Sequence, residues 1–190
     1  MKFLKKLIKP VYIELNSFFN GFIIYCFNLI VNKIPFHLVR LFLYRFLITI
    51  GSKSSILMNV TIRGKNIKIG TNCVINSGCL LDGRGSSKII IGNNVDIAPF
   101  VKIWSVDHNP NSSIHEARSK DVIIEDNCWV ASSVIILPGI TLAEGTVVAA
   151  GSVVVKSTEP YSIVGGIPAK FISNRNRDIE YKHFWRPWFE

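Results

Sequence analysis

The segment Trp104-Ser105-Val106-Asp107-His108-Asn109-Pro110 contains one of the chain's four histidines. Imidazoles change charge near neutral pH, and one held in place can take a proton from a hydroxyl as that oxygen attacks an electrophile. His115 follows in the same stretch, and Asp107 immediately precedes His108. Neighbours on extended chain point to opposite sides, so Asp107 is poorly placed to orient the imidazole, although it can touch a substrate. His115 can likewise contact a substrate or simply solvate the loop. For His108 the competing reading is a solvated turn, because Asn-Pro is a turn signal by itself. No C-x-x-C or paired Cys/His spacing accompanies these residues, so no metal site is expected.

What distinguishes the segment is the order around it. From residue 50 onward the chain repeats every six residues. Ile69, Ile75, Leu81, Ile91, Ile97, Ile103, Ile124, Val130, Ile136, Leu142, Val148 and Val154 share one phase. Two residues earlier another small or aliphatic series recurs, including Cys73, Cys79, Val95, Val101, Cys128 and Val134. Residues i−2 and i lie on one face of a strand, and the intervening Gly, Asn, Pro and Ser supply turns. Short strands with a turn every six residues coil into a triangular prism with an aliphatic interior, a parallel β-helix. A sandwich would need longer strands at wider spacing. Ile50, Ile56 and Ile62 form a weaker starting rung, with a one-residue slip near Lys65-Asn66. Two insertions break the pattern: a short one at 82–88 and a long one at 105–121 that contains His108. Insertions in a solenoid become loops on its outside, often on the binding face.

Three regions follow: a helical segment at 1–49, the β-helix at 50–173 and a basic aromatic tail at 174–190. Hydrophobic residues make up 48% and charged residues 18%, which excludes a disordered chain. The net charge of +9 is concentrated at the two ends, as on a protein that meets an anionic surface or has solubilising termini, and no nucleic-acid groove is expected. The four cysteines do not form a disulfide framework, and three of them fall at interior positions as small apolar residues of a reducing compartment. The start imitates a secretory signal, but Pro10 interrupts it. The apolar run from Val11 to Lys33 contains Glu14, Asn16, Asn20, Asn28 and Asn32, which are costly in hydrocarbon. An amphipathic helix at a membrane surface or against a neighbour is expected, with a core-capping helix the alternative and a spanning helix less favoured.

The repeat, the DHN segment, the run CWVASSVIILPGITLAEGTVVAAGSVVVKS and the ending EPYSIVGGIPAKFI resemble the hexapeptide-repeat acyltransferases. Similarity is greatest to the branch of galactoside, maltose and polysaccharide O-acetyltransferases, and covers about residues 35 to 173. This resemblance implies a left-handed β-helix, a homotrimer with sites between subunits, and acetyl-CoA as donor. It implies direct acetyl transfer to a saccharide with His108 as general base and no covalent acyl-enzyme. Asn76 and Asp82 match polar positions that contact the acceptor, although both also suit turns. Trp129 matches a residue beside the coenzyme A cleft or a packed aromatic. Ala131, Ser132, Ala149 and Ala150 match small positions along which pantetheine approaches the backbone. Lys156 and Lys170 match basic positions near the nucleotide phosphates. Ala143 and Ala149 depart from the family pattern, in which glycine is common there. His37 and His183 lie outside the repeat and read as structural or surface residues.

The leading expectation is an O-acetyltransferase acting on a cell-surface glycan or its lipid-linked precursor at the cytoplasmic membrane face, where acetyl-CoA is available. N-acetylation of an amino-sugar nucleotide stands beside it. A zinc hydratase on the same prism needs three histidines, and the repeat offers two. A non-catalytic scaffold completes the set.

Overall fold

The computed structural model describes residues 2–189, with side chains from residue 9 onward. Helix α1 (Lys2–Leu29), a short 3₁₀ turn and helix α2 (His37–Tyr44) lead into a solenoid of about five coils. The first coil carries β1 (Thr49–Ile50), β2 (Ser55–Ile56) and β3 (Thr61–Arg63). The second carries β4 (Ile67–Ile69), β5 (Val74–Ile75) and β6 (Leu80–Asp82), and the third β7 (Ile89–Ile91), β8 (Asp96–Ile97) and β9 (Lys102–Trp104). An antiparallel hairpin, β10 (Val106–His108) and β11 (Ala117–Ser119), then leaves the prism. The fourth coil holds β12 (Val122–Ile124), β13 (Trp129–Val130) and β14 (Ile135–Ile136). The fifth holds β15 (Thr141–Leu142), β16 (Val147–Val148) and β17 (Val153–Val154). Finally β18 (Ser162–Gly166) joins the stack, and β19 (Ala169–Asn174) turns back antiparallel to it.

The strands stack into three parallel sheets: A (β1-β4-β7-β12-β15), B (β2-β5-β8-β13-β16-β18, edged by β19) and C (β3-β6-β9-β14-β17). The twelve in-phase aliphatic residues are 0–1% exposed, and the series two residues earlier is buried with them. The six-residue period works because each coil must turn three corners. At the corner after sheet A, Asn72, Asn94, Asn127 and Gly145 all have positive φ, between 54° and 70°. That backbone conformation penalises a Cβ, which asparagine tolerates and glycine avoids.

The lead-in covers the open edge of the first coil. Asn28 of α1 pairs with the backbone of Ile62 in both directions, donating to its carbonyl (2.8 Å) and accepting from its N–H (2.9 Å). Arg40 donates to the Ile56 carbonyl at 3.2 Å, and Tyr44 to that of Val60 at 3.1 Å. An edge strand's unpaired backbone groups are thereby satisfied. Helix α1 runs through Pro10 at the cost of the bond its missing N–H cannot make. Asn20 and Asn28 face the prism together with half-buried Ile24 and Phe27, while other apolar side chains such as Phe18 and Phe22 face outward.

The charged tail is fastened rather than free. Arg175 donates to the carbonyls of Asn127 (2.7 Å) and Gly145 (2.9 Å). Asn94 donates to the Tyr181 carbonyl and accepts from the His183 N–H, at 3.0 and 2.8 Å. Ser55 holds Trp185, and the His37 N–H donates to the Trp188 carbonyl at 3.3 Å. The tail thus runs across sheet B from the last coil to α2.

Candidate active site

The long insertion is an ordered hairpin, and its register sets the site. His108 pairs with Ala117 and Asp107 with Arg118 across the two strands. Asp107 receives a two-pronged bond from Arg118 (2.9 and 2.6 Å), which holds its carboxyl below the usual range. Asp107 therefore braces the hairpin through Arg118. At the hairpin base, Ser105 is buried, accepts from Ser87 at 2.8 Å and donates to the Asp82 carbonyl.

His108 is exposed at the end of β10, with Nδ1 2.9 Å from the His115 carbonyl. A carbonyl can only accept, so Nδ1 carries the hydrogen and the neutral ring leaves a lone pair on Nε2. The two imidazoles stack with centroids 3.9 Å apart and planes 10° from parallel. His115 adopts φ of 54°, a turn conformation that brings its carbonyl back to His108. The orienting group of His108 is thus a backbone oxygen.

Asp82 departs from the expected acceptor contact. Its side chain is fully buried, and Arg84 occupies both of its oxygens at 2.7 and 2.8 Å. No carboxylate surface is left for an acceptor hydroxyl. Asn76 remains accessible at the end of β5, donating to the Ile97 carbonyl (2.9 Å) and to Asp96 (3.2 Å). It shares a cleft of about 860 Å³ with Asp96, Trp129 and His183, on the outer face of sheet B under the tail. His183, outside the repeat, carries no local sequence signal of this placement, because its docking onto Asn94 links residues far apart. Burial pulls the His183 imidazole down and pushes the Asp96 carboxyl up, while each group's charge opposes the other's shift.

The expected coenzyme residues fall on one line. At the corner after sheet B, the N–H groups of Asn76, Ala98, Ala131 and Ala149 donate to Ile97, Val130, Val148 and Val164 of the next coil, at 2.8–2.9 Å. Gly165 continues this column, since its position follows Val164 and a Cβ placed there would lie 2.9 Å from that of Ala149. Ser132 and Ala150 flank the column, joined through the bond from Gly151 N–H to the Ser132 carbonyl (2.9 Å). At its far end Lys170 pairs with Gly165 across β18 and β19. Lys156 and Lys170 line one pocket of about 310 Å³. Four steps of about 4.8 Å make the column roughly 19 Å long, a track for an extended ligand with cations at one end and the Asn76 cleft at the other. Within one chain, His108 does not join it: the hairpin leaves the corner after sheet C, and Asn76 stands at the corner after sheet B.

Residues 121–156 match the family model for the bacterial transferase hexapeptide (six repeats). The chain is 35% identical over 130 residues to a probable macrolide acetyltransferase of Lysinibacillus sphaericus, covering 66% of this chain and 71% of that protein. It is 34% identical over 122 residues to the galactoside O-acetyltransferase of Escherichia coli K12, covering 62% and 59%. A hexapeptide-repeat acetyltransferase of Vibrio cholerae, solved in complex with acetyl coenzyme A, superimposes with a TM-score of 0.72 at 30% identity, over 81% of this chain and 86% of that one. The chain spans little more than half the length of several other curated acetyltransferases it matches. The coiled prism, the small-residue column and these similarities agree, and the chain belongs to the hexapeptide-repeat acetyltransferases.

Proposed function

We propose that the protein transfers an acetyl group from acetyl-CoA to a hydroxyl of a saccharide, with His108 as the general base. The observation that carries this reading is the bond from His108 Nδ1–H to the His115 carbonyl, which leaves Nε2 as an oriented proton acceptor. As the acceptor oxygen bonds to the acetyl carbon, Nε2 takes its proton. As the carbon–sulfur bond breaks, the imidazolium returns that proton to sulfur, releasing the free thiol. The column from Ala98 to Gly165 suits the pantetheine arm because its side chains are small, and Lys156 and Lys170 suit the phosphates. Asn76, Asp96 and Trp129 offer hydrogen bonds and an aromatic surface to the acceptor.

Because His108 and the column lie on different corners of one chain, the reading includes a homotrimer. In it, His108 of the partner subunit faces the cleft of the first. The relatives' names support the acceptor class: a galactoside O-acetyltransferase is among them. The test is an acceptor screen with labelled acetyl-CoA over neutral mono- and oligosaccharides, amino-sugar nucleotides and macrolides, with His108→Ala as control. Label in a hydroxylamine-labile saccharide ester supports the proposal. Label only in an amide, only in a macrolide, or equal label with His108→Ala rejects it.

A further inference from the structure

Helix α1 turns two of its asparagines to the prism. Asn20 accepts from Lys65 at 2.6 Å, and Asn28 completes the edge of β3. Most of what is turned outward is apolar: Leu15, Phe18 and Phe22 are 52–66% exposed, with the two phenylalanine rings stacked at 6.5 Å. Helix α2 and the turn after it do the same with Phe42 and Phe46, which pack edge to face at 5.0 Å and are 59% and 73% exposed. Exposed apolar residues are ordinary when scattered, but two helices that both present aromatic ridges mark an interaction surface.

Charge identifies the partner. Lys2, Lys5, Lys6 and Lys9 precede the first acidic residue, Glu14. A second copy would bring this cationic cluster against its own like, whereas an anionic lipid surface complements it. Lys9–Lys33 is long and apolar enough to cross a bilayer by composition. The fold argues otherwise. From Asn20 onward the helix is held alongside the prism through Lys65 and Ile62. The mostly apolar stretch ahead of that hold, Pro10 to Phe19, is ten residues long, includes Glu14, and reaches about 15 Å, half of the roughly 30 Å hydrocarbon core.

We propose that α1, with the aromatic ridge of α2, seats the protein on one leaflet of an anionic phospholipid bilayer without crossing it. This holds whatever the acceptor is, because none of its observations involves His108 or the cleft. The test is flotation of the full chain with vesicles of phosphatidylethanolamine and phosphatidylglycerol, and with vesicles of phosphatidylcholine alone, each at low and high salt. Flotation is expected with the anionic vesicles. Binding should be at least about tenfold weaker on phosphatidylcholine and in the Phe18→Glu/Phe22→Glu variant, whose circular dichroism stays unchanged. Alkaline carbonate should strip the protein from the vesicles. Absence of flotation, equal binding to both lipids or carbonate resistance overturns the proposal. So does a double variant that loses its oligomeric state in light scattering while still floating.

Discussion

Replacing His108 separates the proposed chemistry from its scaffolding. The Nε2 lone pair exists because Nδ1–H is committed to the His115 carbonyl at 2.9 Å. His108→Ala removes the base and leaves the hairpin intact, since the Asp107–Arg118 pair and the β10–β11 register do not involve the imidazole. Loss of a general base lowers kcat by about 10²–10⁴, or about 3–5 kcal/mol. His115→Ala is the informative partner, because it deletes the stacked ring and keeps the backbone carbonyl. An aromatic pair contributes about 0.5–1.5 kcal/mol, and both rings here are exposed, so the low end applies and kcat should fall about two- to threefold. Release of the coenzyme thiol, followed with a thiol-reactive dye, measures both. The reasoning fails if His108→Ala stays within tenfold of wild type. It also fails if His115→Ala is as damaging as His108→Ala, for then the side chain and not the carbonyl is the working group.

The phosphate end of the column is tested by Lys156→Ala/Lys170→Ala, which should raise KM for acetyl-CoA about three- to tenfold and leave acceptor KM unchanged, because both ammonium groups are exposed and partly screened. Burial pushes the thiols of Cys73, Cys79 and Cys128 up to about 11, 12 and 12, so iodoacetamide at pH 8 should label only half-buried Cys26 in the native protein, and all four cysteines after denaturation. His37 is buried and accepts from Arg40 at 3.2 Å, and burial lowers its pKa to about 4. The unfolded chain then binds a proton that the native one refuses, so this contribution is complete above about pH 6.5 and falls by about 3 kcal/mol as pH drops towards 4. Thermal unfolding between pH 7 and 4 should show that slope, and His37→Gln should flatten it.

The prism was legible because its determinants are local and repeated. A buried aliphatic every sixth residue and an asparagine or glycine at the corner recur coil after coil, so Ile97 or Val130 can be placed without knowing its neighbours. The small-residue column proposed for the coenzyme lies in the same register, which aligns Ala131 with Ala149, and Lys156 and Lys170 line one pocket. The features the sequence reading missed depend on single long-range contacts. The asparagines of α1 read as a reason against a spanning helix, but the partner that Asn28 finds on Ile62, 34 residues away, could not be read from them. Asp82 is the local exception: it matched an acceptor motif, and Arg84, two residues on, closes over it. His183 enters the cleft because Asn94 catches its backbone 89 residues away. Such contacts have no period, and nothing local announces them.

The central claim is that this chain moves an acetyl group from acetyl-CoA to a saccharide hydroxyl with His108 as base. The most direct measurement is mass spectrometry of a saccharide acceptor after incubation with acetyl-CoA and either wild-type or His108→Ala protein. The account predicts a 42 Da gain, set by the acetyl group itself (~42 Da), that hydroxylamine removes and that falls at least about a hundredfold with His108→Ala. An equal gain with both proteins, or no gain on any saccharide alongside acetylation of another acceptor class, contradicts it.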